Sequence, residues 1–160
     1  FDPACAGGAL MDLGVYNVSY IVGLFGEPNQ AKYTANMERG IDTSGILTMD
    51  YSGFKAVSMA AKDCGAPARY VIQGTKGYIL QKSTANYCGG VTLHLNEGKE
   101  EHFNLNGGRP RQAAEFDAFA RAIESGDQEL CSRMLDTSVA VSRVLETARR
   151  DAGIRFPSEF

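Results

Sequence analysis

The sequence predicts an α+β domain in which an open, largely antiparallel β-sheet carries helices packed on one face. Three observations lead there. A mostly apolar helical segment opens the chain at 8–25. Short alternating strands separated by tight turns fill 31–105, and helical periodicity returns beyond 113. Helix, then strands, then helices is a segregated order, and it fits an antiparallel sheet with helices to one side rather than alternating βαβ units.

The opening segment, GALMDLGVYNVSYIVGLF, is too long and too apolar for a surface strand. It ends at Gly26, with Pro28 as a stop signal, while Gly14, Val15 and Val18 lower its intrinsic propensity. Next, Ala31, Tyr33, Ala35 and Met37 alternate with Lys32, Thr34 and Asn36. Leu47, Met49 and Tyr51 oppose Ile46, Thr48 and Asp50, and Ser52-Gly53 turns the chain into Phe54–Ala60. Arg69–Gln73 and Tyr78–Gln81 flank the turn Gly74-Thr75-Lys76-Gly77, and Val91–Leu95 and Glu100–Leu105 flank Asn96-Glu97-Gly98-Lys99. Two helical stripes follow. The first is Ala113, Phe116, Ala120 and Ile123, closed by Ser125-Gly126. The second is Leu135, Val139, Leu145 and Ala148, with an N-cap expected at Ser132 and a stop at Gly153. Ile154–Pro157 is expected to form a short edge strand.

At 160 residues, 44% hydrophobic and 22% charged, the chain is one domain by size, or two very small ones, with an ordinary globular composition. Sixteen basic against 19 acidic residues give a net charge of −3, which supplies no attraction for nucleic acid or an anionic membrane. No apolar run is long enough for a bilayer span, so a soluble protein is expected. The cysteines at 5, 64, 88 and 131 show no CxxC spacing, and His94 and His102 lie on expected hairpin strands facing solvent. Free thiols, no metal site and a cytoplasmic location are therefore expected. The abrupt opening at Phe1-Asp2-Pro3 predicts a fragment of a larger protein.

One stripe of the first helix looks chemical. Asp12, Tyr16, Ser19 and Gly23 recur at i, i+4, i+7 and i+11 on a rod otherwise made of Leu, Val, Ile, Phe and Met. Burying Asp12 unpartnered would be costly, so it must meet water, a cation or a hydrogen-bond donor. Gly7 and Gly8, just upstream, allow another group to approach closely. Spacing alone favours a packed helix whose tyrosine hydroxyl reaches the surface over a catalytic one.

The segment from Ala6 to Tyr16, followed by Phe25-Gly26-Glu27-Pro28, resembles the opening of the C-terminal domain of the Gfo/Idh/MocA oxidoreductases. The resemblance continues in order through Gly40-Ile41-Asp42 between the first strands, Gly74–Gly77 at the turn, Glu115-Phe116 with Phe119, and Ala152-Gly153-Ile154 before Phe156-Pro157. It implies a substrate-binding and oligomerisation domain over residues 1–160 of an NAD- or NADP-dependent dehydrogenase of sugars, polyols or related carbonyl compounds. It further implies Tyr16 as the group exchanging a proton with the substrate oxygen, Asp12 tuning the site, Ser19 and Asn17 facing substrate, and dimerisation through the open sheet face. Tyrosine rather than histidine at position 16 places the chain nearest the dimeric dihydrodiol/xylose dehydrogenase and glucose–fructose oxidoreductase branch. The strand at Ala35-Asn36 departs from the dihydrodiol type in lacking its arginine. The family's Rossmann domain, with its GxGxxG and a lysine from an E-K-P motif, has no counterpart in this sequence, so this chain alone is expected to be inactive. The competing expectation is a non-catalytic relative serving as a ligand sensor or protein-interaction domain.

Overall fold

The computed structural model describes Asp2 and residues 5–156, which divide into two compact units. One contains the chain up to Gly65 and from Ser132 onward; the other is Ala66–Cys131.

The first unit holds a three-stranded antiparallel sheet, β1 (Gln30–Glu38), β2 (Ile41–Tyr51) and β3 (Phe54–Ala61), in the order β1-β2-β3. Register places Tyr33 beside Leu47 and Ser58, and Ala31 beside Met49 and Ala56. The period-2 pattern therefore collects one apolar face. Helix α1 (Val15–Phe25) lays Val18, Ile21 and Val22 on the core. A longer helix, Gln128–Asp151, adds Val141, Val144, Leu145 and Ala148. Leu47 and Met49 are essentially inaccessible to solvent. Burying a side chain of this size contributes about 1.5–3 kcal/mol, so Leu47→Ala, which also opens a cavity, would remove about 2–5 kcal/mol. The opposite face leaves Ile46, Val57 and Met59 exposed.

Two features of β2 were not expected from sequence. Ile41 and Asp42, read as lying between the first strands, already belong to β2, and the turn is confined to Arg39-Gly40, both at positive φ. The register also shifts at Asn36/Met37: Asn36 pairs with Ser44 but Met37 with Asp42, so Thr43 is the extra residue of a β-bulge. A one-residue slip moves side chains to the other face. Asp42 thereby reaches the core side, where it is only 1% exposed.

Helix α2 spans Ala113–Ser125 and α3 spans Gln128–Asp151. Ser132 does not cap α3. The helix starts four residues earlier, where the Asp127 carboxylate accepts the Leu130 N–H at 2.9 Å. The stop at Gly153 is as expected, with φ +75 and Ile154 N–H donating to the Arg149 carbonyl at 2.9 Å. Ile154 is buried, residues 154–156 form no strand, and Pro157 lies outside the described residues.

The second unit is an antiparallel meander of β4 (Tyr70–Gly74), β5 (Gly77–Gln81), β6 (Val91–Leu95) and β7 (Glu100–Phe103), followed by α2. The Gly74–Gly77 and Asn96–Lys99 turns fall where the sequence places them. The antiparallel pairing and flanking helices match the predicted class, but the strands form two sheets instead of one. The stripe of α2 is also uncovered: Phe116 and Ile123 are exposed, and no residue of that helix is buried. His102 is exposed, whereas His94 is half-buried, stacked 4.4 Å from the Tyr78 ring with Nδ1 2.7 Å from Glu100 Oε1. No helix among the described residues is long and apolar enough to cross a membrane.

Candidate active site

The predicted first helix forms in two parts. Leu10–Gly14 makes a π-helical turn that runs directly into α1. Such turns are rare and are frequently found at functional sites. Gly14 lowers helix propensity yet is buried, because a Cβ there would lie 3.3 Å from Leu10 Cδ1 and 3.8 Å from Ala60 Cβ. The glycine trades propensity for tight packing against the Leu10 side chain.

Beneath this turn, Asp42 Oδ2 accepts two hydrogen bonds, from Leu10 N–H at 2.7 Å and from the Tyr33 hydroxyl at 2.9 Å. Its other oxygen, Oδ1, has no hydrogen-bond partner among the described residues and packs against Gly8, where a Cβ would fall 1.8 Å away. The close approach that Gly8 permits is thus made by a carboxylate of the same chain. Burial, reinforced by the hydrogen bond and charge of Asp42, pushes the Tyr33 phenol well above its ordinary pKa. At the far end of the bulge, Asp63 is held below the usual carboxylate range, chiefly by a Thr43 hydrogen bond.

Above the turn, Asp12, Tyr16, Ser19 and Gly23 are all exposed, so the stripe inferred from spacing forms one open surface. Tyr16 is 48% exposed, and its hydroxyl is not sealed in the interior. Asp12 meets a cation: Lys62 Nζ lies 2.9 Å from Asp12 Oδ2 and also donates to the Gly7 carbonyl at 2.9 Å. Lys62 gave no signal in the sequence, standing 50 positions from Asp12 just past the end of β3. Asn17 turns elsewhere. Its amide nitrogen donates to Ser58 Oγ and to the Met59 carbonyl, each at 3.0 Å, tying α1 to the edge of β3.

Chemically, the surface offers a phenol, a hydroxyl and a lysine-paired carboxylate: hydrogen-bonding partners for a polyhydroxylated molecule and one group able to give or take a proton at oxygen. Among the described residues every strand pairing is antiparallel and there is no βαβ unit, and the sequence has no GxGxxG. The described residues also hold no cluster of His, Cys, Asp or Glu suited to a metal ion.

Comparison with known proteins adds context. The family model for the GFO/IDH/MocA C-terminal domain matches residues 1–80. The scyllo-inositol 2-dehydrogenase (NADP(+)) of Bacillus subtilis is 29% identical over 160 residues, covering 99% of this chain and 48% of that protein. A D-xylose 1-dehydrogenase (NADP(+)) of Haloferax volcanii is 30% identical over 94% of this chain and 47% of its own length. The chain thus spans about half the length of the curated relatives it matches. Among solved structures, the aldose-aldose oxidoreductase of Caulobacter crescentus, crystallised with glycerol, shares the fold with a TM-score of 0.71 at 22% identity, covering 92% of this chain and 46% of that one.

Proposed function

Because this chain belongs to the GFO/IDH/MocA family through its C-terminal domain, we propose that it is the substrate-binding half of an NAD(P)-dependent dehydrogenase acting on a polyol or sugar. The observation that carries the reading is the open stripe of α1 and its preceding turn: a half-exposed phenol one turn from a lysine-paired carboxylate, on a helix whose other face is core. The named relatives at 29–30% identity act on scyllo-inositol and D-xylose with NADP(+), which supports a polyhydroxylated substrate and a nicotinamide cofactor.

In this reading a nicotinamide cofactor held outside these residues would supply the hydride chemistry at the substrate carbon. The residues here manage the oxygen. Tyr16 gives a proton to the carbonyl oxygen on reduction and takes it from the alcohol on oxidation. General acid–base assistance of this kind is worth about 10²–10⁴-fold. Asp12 accepts a hydrogen bond from a substrate hydroxyl, Ser19 offers another contact along the stripe, and Asn17 fixes α1 against β3 so that these groups share one direction. The free, exposed thiols at positions 5, 64, 88 and 131 suit a cytoplasmic enzyme.

Self-association completes the proposal. Ile46, Val57 and Met59 form an exposed apolar patch on the outer face of β1–β3, and a second copy of the chain is its proposed cover. The experiment for the catalytic claim is oxidation of scyllo-inositol and D-xylose by NADP+ in the full-length protein. We expect turnover with at least one of them, falling at least about tenfold in Tyr16→Phe. Unchanged turnover in that variant removes Tyr16 from the mechanism.

A further inference from the structure

We propose that Lys62 is a positioning residue for this reaction, fixing the Asp12 carboxylate for substrate from within the chain itself. The inference rests on the functional reading above.

The geometry has three parts. First, the lysine is anchored at both ends: its backbone N–H donates to the Thr43 carbonyl at 2.8 Å, and its ammonium is shared between Asp12 Oδ2 and the Gly7 carbonyl. Second, the pair is asymmetric. The Lys62 side chain is 22% exposed and that of Asp12 is 56% exposed. The cation is the sheltered partner and the acid the open one, so a molecule arriving from solvent meets the carboxylate. Third, the lysine grips Asp12 at Oδ2, and the exposed carboxylate it holds in place is the proposed acceptor of a substrate hydroxyl.

The consequence concerns direction more than stability. An ion pair this open contributes about 0–1 kcal/mol to folding, so its energetic value as a staple is small. Its geometric value is larger. Asp12 sits in a π-helical turn whose base is gripped at Leu10 N–H by Asp42 and whose entry is gripped at the Gly7 carbonyl by Lys62. Removing the ammonium frees the carboxylate to rotate and releases one end of the turn. Misplacement of a reacting group by about 1 Å can lower turnover on the order of a hundredfold.

The test compares wild type, Asp12→Asn, Lys62→Met, Lys62→Arg and the double variant Asp12→Asn/Lys62→Met in the full-length protein, with scyllo-inositol and D-xylose as probes and NADP+ as oxidant. Lys62→Met should lower kcat about tenfold with KM changed less than about threefold, and Lys62→Arg should recover most of the loss. In the Asp12→Asn background, Lys62→Met should lower kcat no further, because a residue acting through Asp12 loses its effect once Asp12 is gone. A thermal midpoint within about 2 °C of wild type for Lys62→Met separates positioning from folding. Normal turnover in Lys62→Met, with Asp12→Asn impaired, overturns the positioning role alone. Additive losses in the double variant, or a lowered midpoint with normal kcat in the folded fraction, overturn it as well. Normal turnover in Asp12→Asn, or a wild type inert towards both probes, overturns the underlying functional reading and this inference with it.

Discussion

The two sides of the segment from Gly8 to Phe25 use the same residue types to opposite ends. On the inner side, Asp42 and Tyr33 form a carboxylate–phenol pair that is sealed from water and tied to the Leu10 amide. On the outer side, Asp12 and Tyr16 stand in solvent, the acid paired to Lys62 and the phenol half exposed. The inner pair has nowhere to send a proton, and burial raises the Tyr33 pKa to keep it neutral. The outer pair is reachable by a ligand. Environment, more than identity, separates scaffold from chemistry here.

Substitutions on the inner side should damage folding first. Asp42→Ala leaves the Leu10 amide and the Tyr33 hydroxyl without an acceptor in the interior, and we expect a loss of about 2–5 kcal/mol in denaturant unfolding. A loss below about 1 kcal/mol would mean that the buried cluster does not hold the turn. Tyr33→Phe should be milder, about 1 kcal/mol, because it deletes the hydroxyl and leaves the ring.

Tyr33 also carries a pH signature. Its folded pKa is raised, so the neutral phenol favours the native state. That contribution is fully present below the unfolded value of about 10 and is lost as pH rises from there through the folded value. Unfolding titrations between pH 9 and about 11.5 should show wild type losing more stability than Tyr33→Phe; parallel curves would deny the buried hydrogen bond its role. The smallest effect on folding is expected at the outer face of the first sheet. Met59→Lys should shift the protein toward monomer in light scattering, with unfolding free energy changed by less than about 0.5 kcal/mol. An unaltered mass would place self-association elsewhere.

Much of this was legible in sequence, for physical reasons that differ by region. Alternation in Ala31–Met37 and Leu47–Tyr51, glycine at the turns, and the apolar run of α1 each encode local geometry directly, and the structure follows them. The start of β2 was hidden because Asp42 and Gly45 are poor strand formers; the Thr43 bulge together with the Leu10 amide and the Tyr33 hydroxyl makes a buried aspartate tolerable there. Ser132 was a plausible cap by type, but Asp127, just before Gln128, stands where the chain leaves Gly126 and wins the position. The acid–phenol stripe could be read from helical spacing, whereas its cation could not. Lys62 reaches Asp12 only through the strand that brings the end of β3 beside the turn, a contact between distant positions that no local pattern records.

The most direct measurement sets one phenol against the other. In the full-length protein, Tyr16→Phe and Tyr33→Phe should dissociate two readouts. Tyr16→Phe loses at least about tenfold in kcat at an unchanged thermal midpoint, and Tyr33→Phe lowers the midpoint while the folded enzyme turns over normally. Wild-type kcat in Tyr16→Phe, or an equal loss of kcat in both variants, would contradict the division between an open chemical side and a closed structural one.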